Sequence, residues 1–148
     1  MEPKRKSHCV HLLTYHLVLS VKYRRPCIDE DVKATLISQA AKILANNGGE
    51  LLECNAEADH LHILFEMKPG IDLAKFVGVL KGSLSKTVRI KHKDKISPQL
   101  WGDSFWSDSY FITTTGGASL DVVKQYIESQ GRPKRKYVRK KCPNSSQT

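Results

Sequence analysis

The sequence predicts an α+β fold in which an antiparallel sheet carries helices on one face and leaves the other face open. The chain has 148 residues, the length of one domain, and 40% of them are hydrophobic, which is ordinary for a globular protein. Segments with strand character and segments with helical periodicity alternate in the order strand–helix–strand–strand–helix–strand. This order is the ferredoxin-like split βαβ plan, and one more helix is appended at its C-terminal end.

The first half of the chain contains three of the four predicted strands. Residues 10–22 are rich in β-branched and aromatic side chains, which favours a strand. Residues 26–49 change to a helical period with acids in the first turn, and Asn47, Gly48 and Gly49 predict the end of that helix. Residues 50–58 and 59–67 then predict two strands that pair as neighbours.

The second half predicts a helix, a strand and the appended helix. Residues 69–92 predict a turn at Pro69 and Gly70 followed by the helix, with Asp72 as its N-cap. The apolar face of this helix consists of Leu73, Phe76, Val77, Leu80 and Leu84. Residues 104–115 predict the fourth strand, Gly116 and Gly117 a flexible joint, and residues 119–130 the final helix. We therefore expect one domain over residues 1–131 and a basic, flexible tail over residues 132–148.

Basic residues are concentrated in two short segments. The net formal charge is +9, and two clusters hold more than half of the 24 basic residues. The clusters are Lys81, Lys86, Arg89, Lys91, Lys93 and Lys95, and Arg132, Lys134, Arg135, Lys136, Arg139, Lys140 and Lys141. Clustered cations favour a polyanion such as nucleic acid, because phosphate neutralisation releases counterions. The alternative is a solvated helix face and a solvated tail.

Several other classes of protein are disfavoured. No apolar run approaches the length of about 18 residues that a membrane span needs, and the N-terminus lacks the apolar segment of a signal peptide. The four cysteines are far apart and form no CxxC pair, which argues against a disulfide framework and against a cysteine zinc site. We expect a cytoplasmic protein with no membrane partner.

Two histidines stand one residue apart in the third predicted strand. Side chains alternate along a strand, so His60 and His62 share one face, while the apolar residues Leu61, Ile63, Phe65 and Met67 share the other. The apolar set predicts the face under the helices. The histidines then stand roughly 6–7 Å apart on the open face, a spacing that suits two ligands of one metal ion. Two unrelated surface histidines are the alternative.

Other polar residues can complete such a site. Tyr126 and Gln130 lie one turn apart on the same face of the final helix, where a nucleophile and an oxygen ligand could stand, although packing and solvent exposure also explain this pair. Asp59 is interpreted as a turn residue at the strand entry, and orientation of a ligand histidine is its alternative role. His16 is interpreted as structural or as an outer partner of the metal site.

The combination of these motifs resembles a known family. "DHLHILFEM" resembles the His-hydrophobe-His (HUH) motif of the single-tyrosine HUH endonucleases, and "QYIESQ" resembles their catalytic-tyrosine helix. "YHLVLSVKYRRP" is similar to the first strand and basic turn of the TnpA-type insertion-sequence transposases, and "LWGDSFWSDSYFITTTGG" to their strand before the glycine joint. The resemblance covers residues 8–131.

The resemblance implies a DNA transposase that cleaves and rejoins single-stranded DNA at hairpin-marked element ends through a 5′-phosphotyrosine intermediate. Tyr126 would be the nucleophile, and His60, His62 and Gln130 would hold Mg²⁺ or Mn²⁺. Single-stranded DNA hairpins would be the binding partner, and the protein would be associated with the nucleoid. The family also implies a homodimer in which the glycine joint lets the tyrosine helix cross to the partner's histidines.

The phosphate contacts that the resemblance favours lie in the first-strand turn and on the second helix; they are Lys22, Arg24, Arg25, Lys81, Lys86 and Arg89. Two alternative functions remain at this point. One is the same nicking chemistry used for replication or for processing repeated palindromes. The other is a nucleic-acid-binding module without chemistry, although such modules place aromatic side chains where this sequence places histidines.

Overall fold

The computed structural model describes residues 4–6, 9–11, 13–100 and 104–114. Its strands and α-helices, in chain order, are β1 (Lys4–Lys6), β2 (Cys9–His11), β3 (Thr14–Ser20), α1 (Glu30–Asn46), β4 (Glu50–Glu57), β5 (His60–Glu66), α2 (Leu73–Lys91), α3 (Lys93–Ile96) and β6 (Phe111–Thr114). A short 3-10 turn at Lys22–Arg24 follows β3. The predicted glycine joint, tyrosine helix and basic tail lie outside the described residues. No helix in the described part of the chain has the length and hydrophobicity needed to cross a bilayer.

Four strands form one antiparallel sheet in the order β4-β5-β3-β6. The strand after α1 therefore lies at one edge, the strand after α2 lies at the other, and β5 and β3 occupy the centre. This order is that of the split βαβ arrangement, so the predicted fold class is confirmed. The strand predicted over residues 10–22 is instead divided, since β2 pairs with β1 in a separate two-stranded sheet.

The hydrophobic core lies between the sheet and the two long helices. Leu61, Ile63 and Phe65 on β5 are fully buried, as the alternation of the sequence predicts. Leu17 and Leu19 on β3 belong to the same cluster. The helices contribute Val32, Leu36, Ala40 and Leu44 from α1 and Phe76, Val77, Leu80, Leu84 and Val88 from α2. The second face of the sheet is not covered by these two helices.

Helix ends are set by local chemistry. Asp72 accepts a hydrogen bond from the Lys75 amide, which confirms the predicted N-cap of α2. Asp29 caps α1 through the Val32 amide. After α1, Gly48 adopts φ +80°, and a Cβ on Gly49 would stand 2.7 Å from the Glu66 carbonyl oxygen. Glycines at these two positions let the chain reverse and approach β5 closely.

The last strand is shorter than predicted. Residues 104–110 are irregular apart from a bridge between Val21 and Trp106, and regular pairing starts only at Phe111. Small polar residues at 107–109 favour a bend, and Lys81 donates to the Ser107 carbonyl oxygen at 2.8 Å. This lysine on α2 holds the bend against the helix.

Candidate active site

The central strand β5 presents both histidines of the HUH pattern on the face opposite the helices. His62 pairs with Val18 on β3 and with Asn55 on β4, and His60 pairs with Ser20. Their ring centroids are 4.8 Å apart in an edge-to-face arrangement. His60 is buried, with 7% of its surface exposed, and His62 is partly buried. The strand backbone therefore brings two imidazoles together without any loop.

His60 is held by a carboxylate. Its Nδ1 lies 2.7 Å from Asp59 Oδ1, and Arg24 Nε donates to Asp59 Oδ2 at 2.8 Å. Burial raises the pKa of Asp59, but the hydrogen bonds from His60 and Arg24 outweigh it and hold that pKa below its ordinary value. A carboxylate only accepts, so His60 Nδ1 is the donor in this contact.

His62 is held by a second imidazole. His16 Nε2 on β3 lies 3.3 Å from His62 Nδ1. Burial lowers the pKa of His62 to about 4, and the neighbouring His60 and His16 add to this effect. Burial also lowers the pKa of His16, against the opposing charge of Glu53. His62 is therefore neutral at neutral pH, the protonation state that a metal ligand needs.

A cavity of about 420 Å³ opens beside His62 on the same face of the sheet. It is lined by His16, Glu53, Asn55, Ala56, Glu57, His62 and Leu64. Its outer wall is the edge strand β4, which contributes two carboxylates and an amide. These groups accept hydrogen bonds from amino groups and repel phosphate, so the cavity suits a hydrogen-bond donor next to the histidines and disfavours an anion.

Two of the predicted phosphate contacts converge. Lys22 donates to Asp108 Oδ1 at 3.4 Å, and Lys81 donates to the backbone carbonyls of Ser107 and Asp108. Burial lowers the pKa of Lys81. Arg24 instead donates a hydrogen bond to Asp59, and Arg25, the next residue, is exposed.

Lys86 and Arg89 lie farther along α2, where Lys86 is exposed. The predicted contacts are thus divided between the first-strand turn and α2, and Lys22 and Lys81 meet where these two elements approach residues 107–108.

The residues present fit a divalent metal ion in part. Within residues 13–100 and 104–114, no three His, Cys, Asp or Glu side chains are grouped so that they could hold a metal ion. The two histidines supply two nitrogen ligands. Opposite His60, the Ser20 hydroxyl is buried and has no hydrogen-bond partner in the described region. A buried hydroxyl without a partner is costly, so this position suits a polar group bound beside His60. A third ligand has to come from elsewhere, and Gln130 and Tyr126 lie outside the described residues.

A family model described as "Transposase IS200 like" matches residues 9–130. The chain belongs to the IS200-like transposase family. The predicted resemblance to TnpA-type transposases is therefore confirmed, and with it the identity of the protein as a transposase. Cleavage and strand transfer of DNA are the activities that membership of this family implies.

Relatives and solved structures agree with this assignment. The transposase is 32% identical over 130 residues to the ISDra2 transposase TnpA of Deinococcus radiodurans, covering 88% of this chain and 92% of that protein. It is 27% identical over 129 residues to the transposase for insertion sequence element IS200 of Salmonella typhimurium, covering 87% and 84%.

Among solved structures, a D. radiodurans protein assigned as a transposase superimposes with a TM-score of 0.78 at 28% identity, covering 88% of this chain and 99% of that one. A REP-associated tyrosine transposase bound to a REP hairpin gives a TM-score of 0.52 at 12% identity, covering 86% and 69%. The latter similarity concerns the fold alone.

Sequence reasoning about this transposase gave orientation of a ligand histidine only as the alternative role of Asp59, and the structure places Asp59 Oδ1 2.7 Å from His60 Nδ1. The contact of Arg24 with Asp59 was not foreseen. The position of Asp59 directly before His60 was the available signal. No local signal connects Arg24 with Asp59, which is 35 residues away.

Proposed function

We propose that this transposase cleaves and rejoins single-stranded DNA at hairpin-marked element ends, with Tyr126 as the nucleophile and His60, His62 and Gln130 as metal ligands. The observation that carries the proposal is the pair of neighbouring imidazoles on β5, each with its Nδ1 against a protein partner. This arrangement leaves the Nε2 atoms of both residues for ligation.

The metal would be Mg²⁺ or Mn²⁺. When bound, it would polarise a non-bridging phosphate oxygen and favour the more highly charged transition state. Two imidazole nitrogens are softer ligands than Mg²⁺ prefers, so the ligand set favours Mn²⁺. The low pKa of His62, about 4, supports a neutral ligand nitrogen at neutral pH.

The chemical step forms one bond and breaks one. The Tyr126 phenolic oxygen attacks the scissile phosphorus and loses its proton, and the bond from phosphorus to the 3′ oxygen breaks. That oxygen gains a proton and leaves as a 3′-OH, while the 5′-phosphate stays on Tyr126. Because one phosphodiester replaces another, a second 3′-OH can reverse the step and join new ends without ATP. A phenol with an ordinary pKa of about 10 needs help to ionise, and a metal ion held by His60 and His62 would supply that help.

Single-stranded DNA hairpins are the proposed substrate. The REP-associated transposase of similar fold is bound to a REP hairpin. In this chain, Lys22, Arg24, Arg25, Lys81, Lys86 and Arg89 are the proposed phosphate contacts, and the net charge of +9 supports a polyanion. We also propose a folded unit over residues 1–131, a basic tail that adds DNA contacts, and a cytoplasmic homodimer whose tyrosine helix can reach the partner's histidines.

A covalent-trapping assay tests this proposal. The protein is incubated with Mn²⁺ or Mg²⁺ and end-labelled single strands copied from the flanks of its own gene, and a denaturant-resistant protein–DNA adduct is sought. We expect an adduct with one strand only, lost in Tyr126→Phe and in His62→Ala. Tyr23→Phe is the matched control, since Tyr23 is an exposed tyrosine outside the site.

Two results would contradict the proposal. An adduct that survives Tyr126→Phe would remove Tyr126 as the nucleophile. Hairpin binding with no adduct under either metal would favour a nucleic-acid-binding module without chemistry.

A further inference from the structure

Arg24, Asp59 and His60 form a hydrogen-bonded chain that ends on a proposed metal ligand. Arg24 Nε donates to one carboxylate oxygen of Asp59 at 2.8 Å, and the other oxygen lies 2.7 Å from His60 Nδ1. The three side chains are 23%, 20% and 9% exposed. The ion pair is therefore largely withdrawn from water, unlike the exposed pairs that contribute little.

The backbone that delivers Arg24 is strained. Tyr23 and Arg24 have φ values of 57° and 49°, in the left-handed region that favours glycine. This conformation is unfavourable for residues other than glycine, and they keep it only where the surroundings fix it. Here the turn directly follows β3 and points the Arg24 side chain at the loop between β4 and β5.

That loop is fixed by the same segment. It has only two residues, Ala58 and Asp59, between the end of β4 and the start of β5. The Val21 amide donates to the Asp59 carbonyl at 2.8 Å, and the Ile28 amide donates to the Ala58 carbonyl at 2.9 Å. Residues on both sides of the strained turn thus bind the backbone of the loop, and Arg24 binds the side chain of Asp59.

We propose that Asp59 and Arg24 are positioning residues that keep the His60 proton on Nδ1 and direct Nε2 to the metal. The inference rests on the proposed role of His60 as a ligand. It gives Arg24 a function inside the site, acting through Asp59. A carboxylate can only accept, so it fixes which nitrogen of His60 carries the proton.

The contrast with His62 sharpens the assignment. The partner of His62 is His16, and a neutral imidazole can donate or accept according to its tautomer. His16 therefore leaves the tautomer of His62 open, whereas Asp59 determines that of His60. The two ligands differ in how firmly their donor atoms are set before a metal binds.

The first measurement uses the metal-free protein, with nitrogen-15 label in histidine and long-range proton–nitrogen correlation spectra at pH 7.5. We expect His60 as the Nδ1–H tautomer in the wild type and a shift towards Nε2–H in Asp59→Ala. A wild-type His60 in the Nε2–H form, or an unchanged tautomer in Asp59→Ala, would overturn the proposal.

The second measurement is Mn²⁺ affinity without DNA. Loss of an outer partner of a ligand typically weakens metal binding by about 10- to 100-fold, and we expect this for Asp59→Ala. Arg24→Gly should lose less, about 2- to 10-fold, because Asp59 remains. Glycine suits the φ of position 24, so relief of the strained backbone should offset part of the stability lost with the ion pair. The urea midpoint of each variant is measured beside its Mn²⁺ affinity, which separates positioning from a structural role.

Tyr23→Gly is the matched control, since it relieves the same kind of strain and leaves the guanidinium in place. It should keep wild-type Mn²⁺ affinity, and equal affinities of Arg24→Gly and Tyr23→Gly would remove Arg24 from the proposal. Unchanged affinity in Asp59→Ala would overturn it. If the wild type binds no Mn²⁺ while His60 is Nδ1–H, the positioning stands and the proposed metal function fails.

Discussion

The two faces of the sheet are built from the same strands but differ in the chemistry of their side chains. On the helix side, Leu61, Ile63 and Phe65 are fully buried among other apolar side chains. On the other side, His60 and His62 lie against a carboxylate and an imidazole. The first face stabilises the protein by removing apolar surface from water. The second face destabilises it to a smaller extent, because its polar groups lose hydration. Neighbouring residues of β5 therefore belong either to the core or to the candidate site, and substitutions at them should have different effects.

The largest expected difference comes from Phe65→Ala. The Phe65 ring is fully buried and lies 5.4 Å from the Tyr15 ring and 5.6 Å from the Phe76 ring, between centroids. Its removal should lower the free energy of unfolding by about 3–5 kcal/mol, measured by urea denaturation. Leu64→Ala, the adjacent position on the cavity face, should cost clearly less. Equal losses at both positions would contradict the separation of the faces.

A smaller effect on stability is expected for His62→Ala. This histidine is only partly buried, and its contact with His16 is long, at 3.3 Å. The free energy of unfolding should change by less than about 1 kcal/mol, while the protein–DNA adduct is lost. His92→Ala is the matched control, because His92 bonds Thr35 Oγ1 away from the site and its loss should leave the adduct intact. A large loss of stability in His62→Ala would mean that the site face also supports the fold.

The smallest effect concerns the cap of α1. Asp29 accepts a hydrogen bond from the Val32 amide and lies 2.7 Å from Lys95 Nζ. The hydrogen bond to Lys95 is the main cause that lowers the pKa of Asp29 below its ordinary value. A depressed pKa stabilises the folded state above about pH 3.8, and this stabilisation disappears as the pH falls through the folded value.

Asp29→Asn keeps a cap oxygen but removes the charge. Its urea midpoint should therefore lie slightly below that of the wild type at pH 7, and the two should approach each other towards pH 3. A difference that is constant from pH 7 to pH 3 would exclude the ionised carboxylate as its source.

The sequence predicted what depends on local periodicity. The alternation along β5 placed its apolar residues on the core face, and Asp72 was identified as a cap from its position before a helical pattern. Contacts between distant segments were not predictable in this way. The His16–His62 contact depends on the register of β3 against β5, and the Arg24–Asp59 contact depends on a left-handed turn at non-glycine residues. Tyr126 and Gln130 stay predictions, since they lie outside the described residues.

The alternation of side chains along β5 also limits where residues can be inserted into or deleted from this protein. Side chains alternate with a period of two, so one residue inserted within β5 would move the following side chains to the opposite face. Inserted just before His62, it would turn that histidine towards the helices and bring Ile63 to the open face of the sheet. Such an insertion would damage the hydrophobic core and the candidate site in a single step. The central strand should therefore accept substitutions far more readily than insertions or deletions.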